Sequence, residues 1–183
     1  MKTIFRAAPW AAVLLFAGCN LPQPQPDTVR NFTLDGPPAG PAVTDAVRVR
    51  TVEVAGYLRR RSLAVRVAPH EVAYIEDFRW ADSLETAFTR LLQDRLATVG
   101  GGATVVVTVD RCEPDRSDGN RLHFAASYVI LPAGPAGGAP RRGVFQPDPQ
   151  AWDGRDFNAL VGLVESDVGA LGDALAAAVA PGK

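Results

Sequence analysis

Two cysteines and two histidines are all the thiol and imidazole that the 183-residue sequence contains. A disulfide framework needs more, and a zinc site needs His, Cys or carboxylate at ligand spacing, which neither His70 nor His123 has around it. Charge of one sign is also missing. Nineteen basic and twenty acidic residues are interspersed to a formal net charge of −1, so the extended basic field that nucleic-acid binding requires is absent. There is no G-x-S-x-G elbow and no G-x-x-x-x-G-K-[ST] loop. Gly100-Gly101-Gly102 follows a helical stretch and precedes a strand-like one, the reverse of the order that aims backbone N–H groups at phosphate. No apolar run approaches the ~20 residues that cross a bilayer. The longest, residues 7–17, is broken by Pro9. These absences argue against metal, nucleotide and nucleic-acid chemistry and against a catalytic set. An enzyme would have to assemble its groups from distant residues, with His70 and His123 the first to change in testing a small secreted hydrolase.

What is present begins at the N-terminus. Lys2 and Arg6 precede the apolar run, as in an export leader. The run ends Leu15-Phe16-Ala17-Gly18-Cys19, which resembles a bacterial lipobox, although Phe16 stands where Leu is usual. Small Ala17 and Gly18 suit a narrow peptidase cleft, and only the Cys19 thiol can take a lipid on sulfur. The alternative is an ordinary secretory leader with Cys19 incidental; a cysteine directly after the apolar run and two small residues favours lipidation. The reading divides the chain into a signal peptide (1–18), a lipidated Pro-rich tether (19–28) and a folded domain (29–183). Two or more acyl chains, each CH₂ worth ~0.8 kcal/mol on burial, anchor stably where one does not. Cleavage removes Lys2 and Arg6 and takes the formal charge from −1 to −3. Asn20 follows the cysteine in place of an Asp, which points to the outer membrane. With Cys19 acylated, Cys112 has no disulfide partner and reads as a small buried hydrophobe rather than a reactive thiol.

Proline and glycine concentrate in residues 21–41 and 132–149, a spacer and a loop. Between them the periodicity alternates between two and 3.6. Trp80, Leu84, Ala87, Phe88, Leu91, Leu92, Leu96 and Val99 fall on one helical face. The expected helix opens at Arg79-Trp80-Ala81-Asp82-Ser83-Leu84, with Asp82 and Glu85 as a capping box and Gly100 to Gly102 as the stop. A second helix, capped by Asp153 or Asp156, carries Phe157, Leu160, Val161, Val164, Val168, Leu171, Leu175 and Val179. Strands are expected over residues 29–34, 47–54, 63–67, 71–77, 104–109, 122–130 and 141–146, the last two as a hairpin. Val47 and Val49 differ in parity from Val52 and Val54, so either a bulge lies near Thr51 or this strand is buried on both faces. Arg59-Arg60-Arg61 reads as a solvated turn rather than an anion site, and Asp115 and Asp118 as solvated turn residues. The fold class is therefore α+β: a mainly antiparallel sheet with two long helices packed on one face, in a single domain. The uncovered face or an edge strand is left for a partner, another copy or an apolar ligand.

The order of these pieces resembles the PqiC/YmbA-type auxiliary lipoproteins of ABC-type transporters. The resemblance is carried by Asn31-Phe32-Thr33-Leu34, Tyr57-Leu58 with its charged followers, the strand over 63–67, the Arg79 to Leu84 stretch, and Val164-Glu165-Ser166-Asp167. It implies a non-enzymatic, periplasm-facing lipoprotein without cofactors beyond the lipid on Cys19. Its implied partners are an ABC permease, an ATPase and an anchored protein with MCE domains, which together move lipids between two membranes. Homo-oligomers are compatible with it. The other reading is a lipoprotein of outer-membrane assembly or envelope structure.

Overall fold

The β-branched run that starts at Thr104 becomes the spine around which the sheet is laid. In the computed structural model, which describes residues 28–134 and 138–180, the elements follow as β1 (Arg30–Phe32), β2 (Arg48–Val49), β3 (Glu53–Val54), β4 (Ser62–Ala68), β5 (Glu71–Trp80), α1 (Leu84–Leu96), β6 (Thr104–Asp115), β7 (Arg121–Leu131), β8 (Arg141–Phe145), β9 (Gln150–Ala151) and α2 (Phe157–Val179). The expected leader, Cys19 and the tether as far as residue 27 lie outside the described residues.

The strands form one sheet in the order β1-β5-β4-β6-β7-β8, with β2 and β3 also on β6 and β9 on β7. The β4–β5, β6–β7 and β7–β8 pairs are antiparallel. The short strands β1, β2 and β3 run parallel to their neighbours, and β4 meets β6 in parallel at Arg66 and Asp115. Both helices lie on the face made by Val105, Val107, Val109, Leu122, Phe124 and Ala126, all buried. Phe88 of α1 meets Phe124 edge-on at 6.3 Å. At one end Phe78 stacks on Phe32 with ring centroids 4.3 Å apart and meets Trp80 and Phe157 at steeper angles. That cluster welds edge strand β1 to the first turn of α2.

Several local expectations are corrected. Trp80 does not open the helix: it is the last residue of β5, paired with Phe32 of β1, and its N–H donates to the Arg61 carbonyl. Pairing with β1 holds residues 78–80 extended, so the chain turns only after Trp80, and Ser83 rather than Asp82 caps α1 by accepting from Thr86 N. Glu85 faces Arg59 at 3.6 Å instead of reaching back to the cap. At the other end α1 stops at Leu96, a turn before the glycines. Gly101 and Gly102, at φ 112° and 59°, serve the following turn, where Gly102 N donates to the Asp45 carbonyl. The parity change near Thr51 is a bulge: four steps from Val49 to Glu53 face three on β6, from Val105 to Thr108. Asp156 caps α2 through Asn158 N and Ala159 N, while Asp153 closes the preceding turn. Asp115 is not solvated. It is buried at the end of β6 and accepts from the N–H and hydroxyl of Ser117.

Candidate docking surface

The sheet face away from the helices is made of two unlike halves. Over β4, the second half of β6 and β7 it is closed by a polar network centred on Glu113, whose side chain is completely buried. Its Oε2 accepts the Tyr57 hydroxyl at 2.7 Å and the Cys112 N–H at 3.0 Å. Its Oε1 accepts Arg66 Nε at 3.0 Å and Arg111 Nε at 2.9 Å. Arg111 Nη2, also 2.9 Å away, adds charge without a hydrogen bond of its own. The network continues from Arg111 to His123, and His123 Nε2 lies 3.0 Å from Asp118 Oδ2.

Local folding explains why these groups meet. The 3-10 turn Gly56–Arg59 drops Tyr57 over the sheet, and a register shift between Val109 and Arg111 puts Arg111 and Glu113 on the face opposite Cys112. Burial and the adjacent Glu113 carboxylate push the Tyr57 hydroxyl well above its ordinary range. Burial works against the Arg66 charge, yet Glu113 overcomes it and holds the guanidinium more firmly protonated. A carboxylate with both oxygens occupied by four donors has no lone pair free for proton transfer, so this is a lock, not an acid–base pair.

Among the described residues the other half of that face is bare. Register sets Thr108, Ser127 and Val144 in one row and Val106, Val129 and Arg142 in the next. They line a shallow groove of ≈ 450 Å³. Its outer wall is β8, the last strand of the sheet, and Val144 on it is 73 % exposed.

On the helix side, residues 34–41 strap across the two helices. Arg90 donates to the Leu34 carbonyl, and Asp35 N donates to Glu165 of α2 at 2.6 Å. A cavity of ≈ 190 Å³ remains between the strap, Leu91, Arg95 and Val168. Deeper in, Asp167 of α2 is 2 % exposed; its Oδ1 accepts from Gln150, and Oδ2 has no hydrogen-bond partner. Burial pushes its pKa up to about 6, against the opposing pull of the Gln150 hydrogen bond.

Of the residues singled out by sequence, Cys19 lies outside the described residues. His70 is exposed in the β4–β5 turn, His123 belongs to the Glu113 network, and among the described residues no cluster of His, Cys, Asp or Glu could hold a metal ion. Cys112 is buried and free, as a small hydrophobe on the helix side opposite Phe124. Glu113, Tyr57 and Asp167 were not legible as a group. The only signal was Arg111 and Glu113, an ion pair two apart at the end of an apolar strand.

The described residues thus combine a helix-backed sheet, a buried ionic lock and one flank left open to solvent. The family model for the ABC-type transport auxiliary lipoprotein component matches residues 32–117, which contain Tyr57, Arg66, Arg111 and Glu113. The family is one of lipid-anchored envelope proteins in an auxiliary, non-catalytic role beside an ABC transporter. Two solved structures share the fold. One, described only as an uncharacterized protein, superposes with a TM-score of 0.64 at 14% identity, covering 82% of this chain and 97% of its own. The other, protein XCC0632 from Xanthomonas campestris, of the DUF330 family, gives 0.57 at 16% identity, covering 80% and 92%. No curated protein matches the chain in sequence.

Proposed function

We propose that this protein is a non-enzymatic lipoprotein component of an ABC/MCE-type intermembrane lipid-transport system, tethered by acylated Cys19 to the periplasmic side of the outer membrane. The observation that carries the reading is the family match over residues 32–117. The Leu15 to Cys19 lipobox and the proline-spaced tether, residues 21–27, support it. In this scheme the tether sets the reach, the domain from residue 29 onward docks an MCE-domain protein, and the permease and ATPase act at the far end of the same assembly. The sheet and helices provide rigid surfaces and no reacting groups.

The test is capture of the affinity-tagged full chain from gently solubilised envelopes, followed by mass spectrometry of its partners. An MCE-domain protein co-purifying in stoichiometric amount is the expected result. Recovery of an outer-membrane assembly barrel in its place would overturn the transport reading in favour of an assembly role.

A further inference from the structure

Among the described residues the sheet has two free edges, and they are unlike. At one end β1 is three residues long, Arg30 stacks on its own neighbour Phe32 at 4.8 Å, and the chain leaves through Asp35, Pro37 and Pro38. Short strands and prolines are the devices that close an edge to pairing. At the other end β8 has five residues and no proline, and it pairs with β7 without a register break from Ala126–Phe145 to Ile130–Arg141. Gly143 at its centre lies under the Tyr128 ring, which a side chain there would displace, so the edge backbone stays uncluttered. Val144 stands out into solvent. We propose that β8 is a docking edge that accepts an extended strand from another protein, a strand whose side chains on the bare face alternate between acidic and apolar, two positions apart along its chain.

The choice of occupant follows from charge. Arg141 and Arg142 are both exposed, neither has an ion-pair partner among the described residues, and β8 carries no acid. A strand added outside β8 extends the two rows already on the bare face. Its side chain beyond Val144 meets that exposed valine at the end of the Thr108–Ser127 row, and the one two places along, on the same face, meets Arg142, so an apolar and an acidic residue set two positions apart satisfy both. A second copy of this chain fits poorly. Antiparallel self-pairing about Gly143 gathers four arginines along one seam with nothing to neutralise them. The added strand takes up the outward N–H and C=O groups of β8, and the side-chain rows select it. The inference requires only the folded domain; it stands or falls separately from the transport reading.

The experiment uses the full chain in mild detergent and two short, end-capped fluorescent peptides, a Glu/Val peptide with the repeat Val-Thr-Glu-Thr, which sets Val and Glu two apart on one face, and a Lys/Val peptide with the repeat Val-Thr-Lys-Thr. Saturable anisotropy with the Glu/Val peptide is expected, weakened roughly tenfold in Arg142→Glu. That variant should in turn gain affinity for the Lys/Val peptide. A Glu/Val peptide N-methylated at alternate residues, on the face that bonds β8, should not bind. Arg142 and Val144 are exposed, so Arg142→Glu and Val144→Lys keep the fold, which circular dichroism checks. The proposal is overturned by binding that ignores N-methylation or charge reversal, or by no binding. It is equally overturned by a dimer in sedimentation that Val144→Lys dissolves, which would make the occupant a second copy. Flotation with phosphatidylglycerol vesicles that depends on Arg142, in place of peptide binding, would make it a lipid surface.

Discussion

Tyr57 and Glu113 lie 56 positions apart in sequence and share a 2.7 Å hydrogen bond that pins a 3-10 turn to the central strand. The bond terminates a buried charge. Glu113 has no solvent contact, and the hydroxyl, a backbone N–H and two guanidinium groups replace the water it lost. Removing the carboxylate leaves Arg66 and Arg111 facing each other. Glu113→Ala should therefore cost roughly 3 kcal/mol, the low end for a broken buried pair because both arginines keep some solvent. Tyr57→Phe, which deletes one donor to a charged group, should cost ~1.5–3 kcal/mol. Urea denaturation of the single and double variants checks this. Strongly non-additive losses are expected, and additive ones would show that the two side chains act independently.

Asp167 makes the opposite kind of contribution. Burial raises its pKa from 3.8 to about 6, so the folded chain holds this proton more tightly than the unfolded chain does. The stability it supplies is complete below pH 3.8 and is lost as pH rises to about 6. Asp167→Asn keeps an acceptor for Gln150 without the charge. It should flatten the stability profile across that window and gain ~1–2 kcal/mol at neutral pH. Asp115 has the reverse sign. Burial alone would raise its pKa, but the Ser117 hydroxyl and N–H together hold it below the usual range, so its contribution fades as pH falls. Denaturation midpoints across the acid range separate the two, and an unchanged profile in Asp167→Asn would refute the assignment.

The sheet and both helices were legible because each rests on periodicity. Leu122, Phe124, Ala126 and Ile130 alternate, and the α1 and α2 stripes repeat at helical spacing. What escaped depends on pairing between distant segments. Trp80 has the spacing of a helical residue and is extended because β1 bonds to it from 48 positions away. Two-residue strands such as β2 and β9 are too short for alternation to show. The Glu113 lock draws on the Gly56–Arg59 turn, β4 and β6, so no window along the chain contains it. Asp167 sits on an apolar stripe as its one charged member, and its partner Gln150 lies on a separate strand.

Membrane attachment should depend on Cys19 alone. Among the described residues no helix is long and apolar enough to cross a bilayer, and several acyl chains at ~0.8 kcal/mol per CH₂ are ample for anchorage. Cys19→Ala should abolish palmitate labelling and shift the protein from the membrane to the soluble fraction. A variant labelled as strongly as the natural sequence would refute the anchor.

The two cysteines also allow a single titration to test fold and anchor together. Cys112 faces the core opposite Phe124, and burial, followed by the negative charges of Glu113 and Asp167, pushes its thiol well above the ordinary range. A thiol that is both covered and protonated does not attack a disulfide reagent, because the thiolate is the nucleophile. The folded chain purified from membranes should therefore show no reactive thiol, and its slow labelling should follow the unfolding equilibrium. In strong denaturant Cys112 becomes accessible, and with the sulfur of Cys19 carrying lipid, as proposed, one thiol per chain should appear. A count of two in denaturant would mean that Cys19 is unmodified, whereas rapid labelling of one thiol without denaturant, with no second thiol appearing in denaturant, would place Cys112 outside the core. In Cys112→Ala the lost sulfur leaves a small cavity beside Phe124, and a cost of ~1–2 kcal/mol with no change in membrane attachment is expected.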